Sequence, residues 1–145
     1  MKRTFLILVW MFAFGLSFAQ VSMWGIQYDM PLEQAKALLL EDAFREVAQT
    51  YQVNTFEGEF EYKEVEIKLY SNAEGNVKSW MITLYYEDDI DWLQQTVDFV
   101  HEWYGNPYYS DWEAEIDYID MGEGRILYVY DDYVGGLILE FAEPE

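Results

Sequence analysis

Cysteine is absent from this chain, histidine occurs once, and eight Lys and Arg face 28 Asp and Glu. Each shortage removes a class of function. No disulfide framework is available, and no thiol can act as nucleophile or metal ligand. A zinc site would rest almost wholly on carboxylates, which is atypical. A serine hydrolase would need His101 beside Ser71, Ser79 or Ser110. His101 sits between Val100 and Glu102, on the flank of an apolar helical stripe, and reads as a boundary residue. The formal net charge of −20 repels nucleic acid, whose binding depends on Lys and Arg neutralising phosphates. It also disfavours anionic lipid headgroups. After the first nineteen residues no apolar run approaches the roughly 20 residues of a spanning helix.

The first nineteen residues have the order of a secretory leader. Lys2 and Arg3 are followed by an uncharged apolar run from Thr4 to Gly15, closing in Ser17-Phe18-Ala19. A cationic start, a short apolar segment and a small-x-small exit are what signal peptidase reads. Cleavage is expected after Ala19, leaving residues 20–145 as a single domain that is periplasmic or secreted. No cysteine follows to carry a lipid. Export without disulfides fits a bacterial envelope protein stabilised by its core alone. That core is affordable because all thirteen Tyr and five of the six Trp lie beyond the leader, whereas disordered acidic chains are poor in aromatics.

Apolar spacing divides residues 20–145 into two similar runs, near 24–87 and 88–142. Pro31 stands at a helix start, and Leu32, Ala35, Leu38 and Leu39 form one helical stripe. Residues 44–53 suit either assignment, with Val47, Thr50, Tyr51 and Val53 fitting a short strand. From Phe56 the period becomes two: Phe56, Gly58, Phe60 and Tyr62 share one parity, and Val65, Ile67 and Leu69 take the other. This phase flip requires a bulge near Lys63-Glu64 or two separate strands. Residues 72–76 are turn chemistry, and a return strand over 77–86 puts Trp80, Ile82, Leu84 and Tyr86 on one face. A second helix begins at Asp89 or Asp91 as cap. Ile90, Leu93, Val97, Val100 and Tyr104 mark its stripe, widened by Trp92, Phe99 and Trp103, and Gly105 and Pro107 end it. Three strands follow, over 113–121, 125–131 and 134–141. The expected fold is α+β: a helix followed by about three antiparallel strands (αβββ), twice, with both helices on one face of the sheet.

Four short motifs carry a resemblance. These are the leader ending Ala19-Gln20, the opening Trp24-Gly25-Ile26, the strand start Gly58-Glu59-Phe60, and a helix ending Tyr104-Gly105-Asn106-Pro107. In these the chain resembles small, uncharacterised exported proteins of Bacteroidetes-type bacteria. The doubled arrangement is also similar to the β-lactamase-inhibitor-like tandem of helix and sheet. The resemblance implies a binding or scaffold role and brings no catalytic residues. The chain departs from it at Glu41-Asp42-Ala43-Phe44, where Lys is common in the group.

Two surfaces are candidates for contact. If Trp80, Ile82 and Leu84 face the helices, then Ser79, Met81, Thr83 and Tyr85 face away, as do Glu64, Glu66, Lys68 and Tyr70, and Tyr128 and Tyr130. Tyrosines among acids on an open sheet are typical of a protein-binding face, although Tyr also simply favours strands. The second candidate is an aromatic shelf at Tyr108, Tyr109 and Trp112. Residues 87–91 and Asp131-Asp132 are the densest groups for calcium, and neither has the EF-hand spacing; capping and loop solvation explain them as well. Among 28 acids some glycosidase-like pair arises by chance. The expected function is therefore a non-enzymatic exported module, without cofactor, that binds an envelope protein or peptide through Tyr85, Tyr128 and Tyr130. A glycan- or Ca²⁺-binding accessory domain is the alternative, and a carboxylate hydrolase comes third.

Overall fold

The computed structural model describes residues 23–143; the expected leader and its cleavage point lie outside the described residues. Within them the fold is α+β, with two helices and one eight-stranded antiparallel sheet. Helix α1 spans Leu32–Glu41. Strands β1 (Arg45–Thr50), β2 (Val53–Phe60), β3 (Lys63–Ser71) and β4 (Val77–Tyr85) follow, then helix α2 (Ile90–Tyr104). Strands β5 (Tyr109–Asp111), β6 (Ile116–Gly122), β7 (Arg125–Asp131) and β8 (Gly136–Phe141) complete the chain. The strand order is β1-β2-β3-β4-β8-β7-β6-β5, so the central contact joins β4 to β8. No helix among the described residues is long and apolar enough to cross a membrane.

Four strands follow each helix, not three, and the two extra ones are the sheet's edges. The expected strand over 113–121 is a turn followed by β6, and β5 precedes that turn. Asp111 Oδ1 makes that turn by accepting from the backbone N–H of Glu113 and Ala114, both at 3.0 Å. The ambiguous stretch over 44–53 contains β1, a two-residue turn and the start of β2. The phase flip at Lys63 marks two strands and not a bulge. Phe60 pairs directly with Lys63, and Glu61 and Tyr62 both take positive φ, 48° and 67°. That is the requirement of a two-residue hairpin loop of mirror-image type. Tyr62, expected on the strand's buried parity, is instead 99% exposed at the turn.

Cross-strand register defines the core. Phe56 pairs with Ile67, Ile67 with Ile82, Ile82 with Leu139, and Leu139 with Val129, all buried. A parallel row runs Leu69, Trp80, Phe141, Leu127, Ile119. Trp80 lies between Tyr28 and Phe141, with ring centroids 4.6 Å and 4.7 Å away. From α2, Tyr104 meets Phe141 edge-on at 5.5 Å. From the segment before α1, Trp24 packs edge-on against Phe44 and Phe60.

In α1 the expected stripe is buried at Ala35 and Leu39 and half-buried at Leu32 and Leu38. In α2 the buried residues are Thr96, Val100 and Tyr104. Ile90, Phe99 and Trp103 are exposed instead, and Phe99 stacks on Trp103 at 5.9 Å. The expected stripe was therefore too wide. Asp89, not Asp91, caps α2 by accepting from the Trp92 N–H at 3.1 Å.

Gly58 shows how closely β2 is packed. A Cβ there would stand 2.6 Å from Phe44 Cδ1, so the Phe44 ring occupies the side-chain space. Gly58→Ala should destabilise by about 1–3 kcal/mol, the usual cost of overpacking a filled core. A urea midpoint unchanged from wild type would contradict this packing.

Candidate functional site

The face opposite the core is set by the same registers. One row across seven strands reads Thr55, Lys68, Met81, Glu140, Tyr128, Tyr118, Tyr109. The next reads Glu57, Glu66, Thr83, Ile138, Tyr130, Ile116, Asp111. A third, shorter row contains Glu59 and Glu64, then Tyr85 paired with Gly136 on the neighbouring strand. Tyr85, Tyr128 and Tyr130 thus occupy the face expected of them, each half-buried.

The tyrosines form a ladder. Tyr109 meets Tyr118 at 5.2 Å and Tyr118 meets Tyr128 at 5.1 Å, both edge-to-face, the arrangement that aromatic quadrupoles favour. Tyr108 adds a looser edge contact to Tyr118 at 6.5 Å. The sheet face and the aromatic shelf, separate in the sequence, therefore meet through Tyr118. Tyr118 belongs to neither candidate surface in the sequence, where the shelf and the face lie on different segments. Its signal was available: Ile119 opposes Leu127 in the core, so Tyr118 must oppose Tyr128 on the other side. Trp112 stands apart from the ladder, 89% exposed in the turn after β5.

Hydrogen bonds hold this half of the face. Tyr130 donates to Glu140 Oε2 at 3.0 Å; burial first, then the Glu140 charge, pushes the Tyr130 hydroxyl up to about 12. Tyr133 donates to Glu115 Oε2 at 2.8 Å, tying the β7–β8 turn to the β5–β6 turn. Burial and then Glu66 raise Tyr85 as well. A hollow of about 370 Å³ is lined by Tyr70, Ser79, Met81 and Glu140 among others. Another, about 730 Å³, lies at Tyr108, Tyr109 and Trp112.

The raised tyrosines fix a pH dependence. Tyr28 and Tyr130 are raised chiefly by burial, and Tyr86 by donating to Asp131 Oδ2 at 2.5 Å; each reaches about 12. Tyr104 is pushed higher by burial. An unfolded tyrosine titrates near 10, so the folded state holds these protons longer. Their contribution to stability is complete below about pH 10 and is lost as pH rises toward 12. Denaturant midpoints should stay level with respect to tyrosine up to pH 10 and then fall. A midpoint rising through that interval would contradict the assignment.

The acids weighed for calcium have other duties. Asp132 Oδ1 accepts from the N–H of Val134 and Gly136, both at 2.8 Å. Asp131 Oδ1 accepts from the Tyr133 N–H at 2.7 Å. Asp89 caps α2 and pairs with Lys63 at 3.3 Å. Among the described residues no group of three or more acids or histidines is arranged to hold a metal ion.

His101 and Ser110 do come together, on Asp117. The imidazole Nε2 lies 3.2 Å from Asp117 Oδ2, and Ser110 donates to Oδ1 at 2.6 Å. The carboxylate takes the middle position that a general base must hold between nucleophile and acid. This arrangement ties α2 to β5 and β6.

No family model, curated protein or solved structure matches the chain.

Proposed function

We propose that this chain is an exported, non-enzymatic module that holds a protein or peptide partner on the sheet face bearing Tyr85, Tyr118, Tyr128 and Tyr130. The single observation that carries the reading is the ladder Tyr109–Tyr118–Tyr128, with Tyr130 beside it. Aromatic side chains that are rigid, amphipathic and half-buried are the usual anchors of an interface. In this reading each helix and the four strands after it form one half of a doubled fold. The halves meet at β4 and β8, and both helices lie on the core side, leaving the tyrosine face open. The expected address is the periplasm or the medium, from the leader read in residues 1–19. The resemblance to exported Bacteroidetes-type proteins and to β-lactamase-inhibitor-like tandems is consistent with such a role.

Affinity capture from envelope extract tests the reading, with Tyr128→Ala/Tyr130→Ala beside wild type. The double variant should lose the captured protein while keeping its circular dichroism. Capture unchanged by the double variant would sink the reading.

A second reading, glycan stacking, is favoured by one observation. Tyr108 and Tyr109 are 60% and 54% exposed beside the 89% exposed Trp112. Capture lost with Tyr108→Ala/Trp112→Ala and displaced from wild type by free oligosaccharide would favour glycan; capture that survives both would leave the protein-binding reading in place.

A further inference from the structure

Resting on that reading, we propose the chemistry of the occupant: an extended peptide segment bearing Lys or Arg, laid across the strands from the tyrosine ladder to the acidic β2–β3 end. Charge is distributed unevenly on this face. Glu57 pairs directly across from Glu66, and Glu59 directly across from Glu64. Like charges at opposed strand positions are destabilising, so folding alone gives no reason for two such pairs side by side. The first is partly relieved, because Arg45 pairs with Glu57 at 3.3 Å and Lys68 with Glu66 at 3.1 Å. Glu59 and Glu64 have no ion pair with a Lys or Arg among the described residues. Tyr85 lies next to Glu64 and feels the negative charges of Glu66, Asp132 and Glu64, offset in part by Lys68, which is itself held by Glu66. An aromatic ring flanked by carboxylates suits a guanidinium or ammonium group, by cation–π attraction and ion pairing together.

The protein cannot supply that cation from its own surface. Lys36, Arg45, Lys63, Lys68, Lys78 and Arg125 are the described basic residues, and each is already within 3.6 Å of a carboxylate. A second copy would bring the same net charge of −20, so self-association through this face is opposed. The missing charge must come from a partner. At the centre of the face, beside Met81, Thr83 and Ile138, the one carboxylate is Glu140, which already accepts from Tyr130; this leaves cations for the acidic end and stacking for the ladder. From β2 to β5 there are six strand spacings, about 29 Å at roughly 4.8 Å each. About nine extended residues would span it.

The test uses the full chain and an array of labelled nine-residue peptides, graded from Glu-rich through neutral to Arg-rich, read by fluorescence anisotropy. Affinity should rise with peptide positive charge and fall with salt. Tyr118→Ala/Tyr128→Ala should weaken the Arg-rich peptides by about tenfold or more. Glu59→Gln/Glu64→Gln should flatten the dependence on peptide charge, whereas Glu33→Gln/Glu41→Gln on α1 should leave it steep. Circular dichroism verifies that each variant is folded, and Phe99→Ala/Trp103→Ala serves as a variant of another surface. Equal loss from both acid pairs would overturn the proposal, because the attraction would belong to the whole molecule. Neutral or Glu-rich peptides binding as well as Arg-rich ones, still through Tyr118 and Tyr128, would overturn the basic occupant and leave the face as a binding surface. Failure of every peptide to bind would overturn it as well, and the capture experiment above would then decide the broader reading separately.

Discussion

Trp80→Ala is expected to cost about 3–5 kcal/mol, the range for deleting a buried Trp or Phe side chain. The indole is fully buried and stacks on Phe141 at an interplanar angle of 17°, with Tyr28 on it at 53°. It also stands at the junction of β4 with β8, where it pairs with Leu69 on one side and Phe141 on the other. Its removal would open a cavity bounded by both runs of strands, which cannot collapse without breaking register. Domain stabilities are about 5–15 kcal/mol, so one substitution removes a large share. Trp80→Phe should be milder, because it leaves a smaller cavity than alanine does. The Trp80 Nε1 is buried without a hydrogen-bond partner among the described residues, and phenylalanine removes that unsatisfied donor while keeping a ring in the stack. Urea unfolding of the two variants decides the matter. Equal losses for Phe and Ala would contradict this account of the junction.

Tyr104→Ala comes next in size, at about 3–4 kcal/mol. Tyr104 closes the last turn of α2, is 9% exposed, and sets its ring edge-on against Phe141. Its hydroxyl takes a backbone bond from Met23, which links the helix end to the segment before α1. Tyr104→Phe would keep the ring contact and lose that bond, about 1 kcal/mol. Because Trp80 and Tyr104 share Phe141, their alanine substitutions should not add. The double-variant cycle is expected to show a coupling of about 0.5–3 kcal/mol. Strict additivity would mean that Phe141 does not connect helix and sheet as described.

Much of the fold was legible wherever one face is buried and the other is wet. Period two over Val65–Ile67–Leu69 and Trp80–Ile82–Leu84 fixed which side chains point inward, and the pairing of β3 with β4 follows that pattern. The same parity put Tyr85, Tyr128 and Tyr130 on the other face. The edges were not legible. Strand β1 is exposed at five of its six positions, so it has no buried face to imprint a pattern. Strand β5 has only three residues, and short edge strands are a common way to avoid edge pairing. The β2–β3 turn was hidden for a different reason. Glu61 and Tyr62 adopt the left-handed conformation without the Asn, Asp or Gly that normally announces it. In α2, hydrophobicity alone places Phe99 and Trp103 in the buried stripe. The buried residues of α2 are Thr96, Val100 and Tyr104, and the two larger rings stack on each other at the exposed side. Within the candidate site, each tyrosine was visible by itself. What strand pairing added is that Tyr118 joins the shelf to the face.

Photocrosslinking from defined positions tests the central claim most directly. A photoreactive phenylalanine derivative at position 118, within the ladder, and another at position 94, on the exposed side of α2, would be introduced into the exported protein in cells. The account predicts a discrete adduct with a partner from position 118 and none from position 94. An adduct from position 94 with none from position 118 would contradict it.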